Sequence, residues 1–375
     1  MITRVAIKNF KAFRDAEIDL TSLNLFTGMN GMGKSTFIQS LLLLRQSDAH
    51  LMPELRGLVL KGGETGILDL GKGKDVYSIH ADSDHIQFEV DIDYKSYLNV
   101  AFRFEAENDV LPYSKLPGDS FDNSGPVPAL FSNRFTYLKA DRIGPEHNYK
   151  ANLSAVKING FLGYRGENVP LYIALNTREP VKLESVLHPR AKAPNLLSNL
   201  DAWLNEITPG THVISTYFNA LDIVRVGYQF DEGADLTPEF SPVNVGFGFT
   251  YTLPMLTAIL AAEKGDLLII ENPESHLHPQ GQAKLGELLA RAAHDGVQII
   301  VESHSDHLLN GMRVAVKNRL IHKDEVSVFY FERDRNSKEH ISTISQPEID
   351  ENGRISHRPD GFFDEYSKQL DSLLK

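Results

Sequence analysis

Residues Gly28-Met29-Asn30-Gly31-Met32-Gly33-Lys34-Ser35-Thr36 satisfy every fixed position of the pattern G-x-x-x-x-G-K-[ST], a spacing that cradles phosphates. Gly28, Gly31 and Gly33 let backbone N–H groups close around phosphate oxygens with no Cβ in the way, with Asn30 inside the loop. The N-terminus of the helix that follows adds its positive end. Lys34 then meets the β- and γ-phosphates as a point charge, and Ser35 offers an oxygen to Mg²⁺. Thr36 adds a second hydroxyl. The rival reading is a glycine-rich turn that carries a lysine by chance. The context disfavours it, because a strand-like run, Leu23-Asn24-Leu25-Phe26, precedes the loop and a helix-like run, Phe37 to Leu44, follows it. A nucleoside triphosphate is the expected ligand.

Further chemistry-bearing residues sit in the second half. The apolar strand Asp266 to Ile270 ends in Glu271-Asn272-Pro273-Glu274, followed by Ser275-His276-Leu277-His278-Pro279 and a helical run from Gln280 to Ala293. A carboxylate at the C-terminal end of a buried parallel strand stands where phosphate-loop enzymes hold Mg²⁺ and its water. A second buried strand, Val297 to Val301, runs into Glu302-Ser303-His304-Ser305-Asp306-His307, and a histidine there can hydrogen-bond a γ-phosphate. Upstream, Asn244 to Pro254 brings Gly246, Gly248 and Thr250 ahead of a helix expected over Met255 to Glu263, a second helix N-terminus suited to phosphate.

The elements that must position these residues alternate between periods. Arg4 to Phe10 and Ala16 to Leu20 alternate with period two and predict a hairpin ahead of the loop. Phe13 or its neighbours then face a purine, or Phe10 and Phe13 are core; the two readings weigh equally. Tyr77 to His80, Ile86 to Ile92 and Leu98 to Phe104 predict an antiparallel meander with one solvated face. Asn108 to Pro128 reads as a loop. Asn148 to Asp235 mixes short apolar runs with Pro and Gly around a helix, Leu196 to Leu204.

The chain has 375 residues, 42% hydrophobic and 23% charged, enough for one large or two ordinary domains. No cysteine is present, which removes disulfides, thiolate metal sites and cysteine nucleophiles. The charged, alternating N-terminus does not read as a secretory leader, and no apolar run approaches the roughly 18 residues of a membrane helix. A cytoplasmic protein that uses no membrane is expected. A net charge of −12 argues against a duplex-wide basic face, and DNA stays open only as a local partner. Arg178 to Lys192 is the one basic window in the middle and reads as a solvated face.

Together these motifs resemble ABC-type ATPases of the AAA branch that groups RecF, the structural-maintenance-of-chromosomes heads and the OLD proteins. The resemblance covers nearly the whole chain. Ile7-Lys8-Asn9-Phe10-Lys11-Ala12-Phe13 looks like the opening strand of those heads, Gly28 to Thr36 their Walker A loop, and Asn244 to Thr250 their signature segment, with a threonine for the usual serine. Leu267 to Glu274 is similar to the Walker B strand, Ser275 to Pro279 to the D-loop, and His304 to the switch histidine. Tyr137 to Pro145 and Pro359 to Glu365 resemble marks of a bacterial subfamily of unknown biochemical function. The resemblance implies an α/β fold, a phosphate-loop head with a mixed or parallel core sheet, an N-terminal antiparallel β subdomain and a helical or irregular insertion. It divides the chain into lobe I with Walker A (1–147), an inserted subdomain (148–240) and lobe II with the remaining motifs (241–375). It implies ATP and Mg²⁺ as cofactors, Ser35 and Glu271 at the metal, and an ATP-dependent homodimer or higher oligomer. Gly246, Gly248 and Thr250 of one protomer would meet the triphosphate of the other.

One departure from the family pattern carries information. The usual Asp-Glu-Pro is Glu271-Asn272-Pro273 here, so Glu271 can serve the metal but Asn272 cannot accept a proton, and slow hydrolysis is expected. Glu274, Glu302 and His304 are the candidates to replace the missing base. A metallohydrolase reading, with His276, His278, His304 and His307 beside Glu271 and Glu302, competes with this one. It leaves the phosphate loop without purpose, and the D-loop resemblance already accounts for the His-x-His. No nuclease module is expected after His304: Asp306, Asp324, Asp334 and Asp350 are scattered and read as surface. The expectation is a slow ATPase acting as the sensor or regulatory subunit of a bacterial anti-phage defence system, signalling to a separate effector docked on the middle region. A RecF-like DNA-repair or maintenance ATPase is the alternative.

Overall fold

The structure, a computed structural model, describes residues 1–375 except 49–56, 64–65, 123–124, 334–341, 358, 360 and 375. Asp334 and Asp360 therefore lie outside the described residues. Two compact units are present, one of residues 1–132, 327–348 and 355–375, the other of residues 133–326 and 349–354.

In the first unit the expected hairpin forms from Ile2–Phe10 and Phe13–Asp19, with Arg4 opposite Asp19 and Phe10 opposite Phe13. Ile2–Phe10 also pairs antiparallel with His85–Ile92, which pairs with Lys95–Arg103. Alternation sends Val5, Ile7, Phe88, Val90 and Phe102 inward, all but shielded from solvent, as a half-buried sheet requires. Outward, Arg4 bonds Glu17 at 2.5 Å and Glu89 at 3.2 Å. Tyr77 to His80 departs from the expected meander: Tyr77 makes a single bridge to Phe10, and Ala81 N–H closes a turn on the Ser78 carbonyl.

Leu23–Gly28 lies beside Val326–Arg333 and leads into the helix Lys34–Gln46. That helix buries Phe37, Ile38 and Leu41 to Leu44 completely, while Ser35 is exposed and Gln39, Arg45 and Gln46 are partly so, an apolar face with a polar one beside it. Phe26 anchors it. Its ring meets Phe37 edge-on at 4.9 Å and Phe329 at 5.3 Å.

The second unit holds three parallel strands, Phe135–Leu138, Leu267–Glu271 and Gln298–Glu302, with Leu267 opposite both Phe135 and Gln298. Their near-continuous apolar runs suit strands covered on both faces. The helices Pro279–His294 and Asp306–Lys317 cross at backbone distance. A Cβ on Gly286 would stand 2.3 Å from the Leu308 carbonyl oxygen, and one on Gly311 2.1 Å from that of Ala283. The helix expected from Met255 begins earlier, at Phe247, and runs to Ala261 with Pro254 inside it. A proline in a helix interior costs about 3 kcal/mol. Burial of Leu253, Met255, Leu256 and Ile259 offsets that cost.

The middle of the chain is more regular than its composition suggests. It carries the helix Leu196–Ile207, capped by Asn195, and a hairpin of Thr211–Phe218 with Ile223–Glu232. Among the described residues no helix is long and apolar enough to cross a membrane.

Candidate functional site

In the first unit, the loop from Gly28 to Gly33 joins a buried strand to a buried helix, and its backbone takes a shape that side chains resist. Gly28 sits at φ +137°, and a Cβ there would stand 2.2 Å from the Phe331 carbonyl oxygen. Gly33, at φ +99°, is the N-cap of Lys34–Gln46 and brings no side-chain cap to the positive end of that helix. The ring of Phe13 lies 3.0 Å from where a Gly33 Cβ would be. Phe13 is fully buried, so of its two readings the structure supports core. Lys34 is only 3% exposed, and its Nζ donates to the Gly28 and Met29 carbonyls, each at 2.9 Å. These bonds place an ammonium inside the loop. Asn30, Gly31 and Ser35 are exposed there, whereas Thr36 is turned into the core. The loop thus has parts suited to an ATP triphosphate: a helix N-terminus without a side-chain cap, a fixed cation and an exposed serine.

The second unit gathers the other motif residues at the C-terminal ends of its parallel strands. Glu271 ends Leu267–Glu271 directly opposite Glu302. The Glu271 carboxylate accepts from Tyr137 Oη at 3.0 Å and from Ala140 N–H at 3.2 Å. Burial first, then the charge of Glu271, holds the Tyr137 phenol far above its ordinary range, so it stays a donor. Asn272 takes the left-handed conformation, φ +45°, which asparagine tolerates, and its N–H bonds the Glu302 carbonyl at 2.8 Å. Two lone pairs per carboxylate oxygen leave Glu271 with acceptor capacity beyond these donors, which fits a hard cation such as Mg²⁺.

Glu274 has both oxygens engaged, accepting from Ser303 Oγ and from His304 N–H, each at 2.8 Å. It ties the turn after one strand to the turn after the next. The His304 ring is exposed at that junction, and Glu302 is buried beside it. His276, at φ +64°, lies near Phe247 and Tyr251, with ring centroids at 5.9 and 4.6 Å. A Cβ on Gly248 would come within 2.8 Å of the His276 carbonyl oxygen, whereas one on Gly246 would meet only the Phe249 ring, at an ordinary 4.0 Å. Gly246 and Phe247 are exposed. Thr250 is 6% exposed and faces inward. Among the described residues, no three His, Asp or Glu side chains are grouped to share a metal ion. In the basic window, His188 and Arg190 both face Glu206.

In the sequence, Arg142 stands out only as part of the Tyr137 to Pro145 subfamily segment. Arg142 is 1% exposed and donates to the backbone carbonyls of Glu271 at 2.5 Å and Asn272 at 3.2 Å. Burial pushes its guanidinium down to about 10 against the pull of Glu274 and Glu271. Its neighbours Lys139, Asp141, Gly144 and Pro145 read as an exposed turn, so the sequence carries no signal of its burial.

Two families match the chain: one described as "AAA domain, putative AbiEii toxin, Type IV TA system" over residues 23–310, and "Protein of unknown function (DUF3696)" over residues 321–373. An OLD nuclease of Thermus scotoductus (strain ATCC 700910 / SA-01) is 23% identical over 348 residues, which cover 86% of this chain and 62% of that protein. The chain therefore spans less than two thirds of this relative. Among solved structures, an SmcHead bound to the C-winged helix domain of ScpA aligns with TM-score 0.54 at 11% identity, covering 93% of this chain and 98% of that one. An Smc head domain with an extended coiled coil, bound to the C-terminal domain of ScpA derived from Pyrococcus furiosus, aligns with TM-score 0.50 at 11% identity, covering 100% and 99%. The fold is that of an SMC-head-like ABC ATPase, a mixed α/β fold with parallel and antiparallel sheets.

Proposed function

We propose that this chain, which belongs to the AAA domain family matched over residues 23–310, binds ATP with Mg²⁺, hydrolyses it slowly, and dimerises around the nucleotide as a switch. The observation that carries the reading is Lys34, an ammonium held inside a glycine loop at a helix N-terminus by two backbone carbonyls. Gly28, Asn30, Gly31, Gly33, Lys34, Ser35 and Thr36 form the phosphate loop in this reading. Ser35 and Glu271 serve Mg²⁺, which supplies charge stabilisation to the transferring phosphoryl group. Asn272 orients water without accepting its proton, and His304 meets the γ-phosphate. Glu274, Glu302 and His304 are the candidate bases: Glu274 accepts from Ser303 Oγ and His304 N–H, and Glu302 stands opposite Glu271.

Gly246, Gly248 and Thr250 belong to the surface offered to the second protomer, with Thr250 supporting the helix from within. A two-fold dimer would repeat this contact twice. The exposed position for a test is Gly246. Its φ of −62° is ordinary, and an aspartate there suits a helix N-cap, so the folded chain keeps or gains stability. The added carboxylate would repel a partner's triphosphate. Gly246→Asp is expected to bind ATP normally as a monomer and to lose the dimer that light scattering detects with a non-hydrolysable analogue. An oligomer indifferent to both nucleotide and Gly246→Asp would contradict the model.

The biological output we propose is regulation of a separate effector in a bacterial anti-phage defence system. That setting comes from the resemblance to the OLD-like branch, to which the OLD nuclease relative also points. The same relative raises a second reading, in which the chain itself forms part of a nuclease. The purified chain is expected to leave DNA and RNA intact with Mg²⁺ or Mn²⁺. Robust cleavage that disappears in a point mutant of this chain would favour the second reading.

A further inference from the structure

The segment after Phe135–Leu138 reaches the end of its neighbouring strand with three groups, each on a different atom. Tyr137 Oη takes Glu271 Oε1 at 3.0 Å, Ala140 N–H takes Oε2 at 3.2 Å, and Arg142 takes the two successive carbonyls of Glu271 and Asn272. The segment is itself fixed from behind. Lys139 N–H bonds the Tyr164 carbonyl at 2.8 Å, Ile143 N–H bonds that of Arg165 at 2.9 Å, and Arg165 Nε pairs with Asp141 at 3.1 Å.

Resting on the ATP reading above, we propose that Tyr137, Ala140 and Arg142 form a positioning clamp that aims the Glu271 carboxylate at a divalent cation and fixes the left-handed turn at Asn272. Each donor has a separate task. Tyr137 and Ala140 occupy one lone pair on each carboxylate oxygen, which sets the plane of the group and leaves the remaining lone pairs in a fixed direction. Arg142 acts on the backbone. Its planar fork spans two consecutive carbonyls, a geometry a lysine ammonium cannot reproduce. A buried cation is costly unless hydrogen-bonded, and burying one under this strand end is explained if the strand end must not move. Donors behind a metal-binding carboxylate typically change metal affinity by about 10- to 100-fold when removed.

Calorimetric titration of a non-hydrolysable ATP analogue, in excess Mg²⁺ and in EDTA, tests the clamp. Its readout is the factor by which Mg²⁺ tightens binding. Tyr137→Phe removes one donor at constant shape and is expected to cut that factor about tenfold while leaving the affinity in EDTA unchanged. Arg142→Lys is expected to cut it further, and where that variant melts early, Tyr137→Phe decides alone. A Tyr137→Phe protein with the parent's Mg²⁺ factor overturns the clamp and leaves the ATP reading standing. A parent that binds no analogue in either buffer overturns the ATP reading and the clamp with it.

Discussion

Replacing Lys34 by alanine is expected to weaken Mg·ATP binding by about 100-fold or more, while the folded chain persists. The ammonium sits almost wholly enclosed, its Nζ 2.9 Å from the Gly28 and Met29 carbonyls. It is therefore in place before any phosphate arrives, and little side-chain entropy is lost on binding. Charge-assisted hydrogen bonds contribute about 1.5–3 kcal/mol each, and roughly 3 kcal/mol lost corresponds to about two decades in Kd. Alanine is the best helix former, so the first position of Lys34–Gln46 tolerates it. Isothermal calorimetry with a melting curve on the same sample decides the matter: a stable Lys34→Ala protein with the parent's affinity would show that the triphosphate binds elsewhere.

The second large effect is expected at Glu271. Glutamine keeps the volume and one acceptor but removes the anionic charge a hard cation needs. Several kcal/mol of transition-state stabilisation are at stake, so single-turnover hydrolysis should fall by on the order of 100-fold or more in Glu271→Gln. Asn272→Ala should change the rate only a few-fold, because asparagine accepts no proton to begin with. Its measurable cost is structural: alanine at φ +45° loses about 1 kcal/mol that asparagine largely avoids. Asn272→Glu carries the same backbone cost but restores a carboxylate, and is expected to hydrolyse faster than the parent. A collapse of activity in Asn272→Ala with Glu271→Gln spared would reverse these roles.

How much of this was legible in the sequence depends on the range of the interactions. The Gly28 to Thr36 loop and its flanking strand and helix are written locally, in consecutive residues whose backbone needs are specific, and they were readable. So were the two apolar strands that end at Glu271 and Glu302. The start of Phe247–Ala261 was misplaced because Pro254 is a strong local helix-start signal, and only the enclosure of its neighbours, a tertiary fact, overrides it. The hairpin of Thr211–Phe218 and Ile223–Glu232 was blurred by aromatic residues on both faces, such as Phe218 outside and Tyr228 inside. Glu274 illustrates the deepest limit. Its type and place make it a candidate base, and the partners its two oxygens meet lie about thirty residues further on, where no local pattern reaches.

The crossing of Pro279–His294 with Asp306–Lys317 has a mechanical consequence. With Gly286 against Leu308 and Gly311 against Ala283, the two helices meet backbone to backbone, and neither can slide or roll without forcing main-chain atoms together. Each helix starts at a motif turn: His278 caps the first by accepting from Gln280 N–H, and Ser305 caps the second by accepting from Leu308 N–H. The turn carrying His276 and the turn carrying His304 are thus two arms mounted on one axle. The spacing of the two turns is therefore set by main-chain contact, and not by the side chains between them.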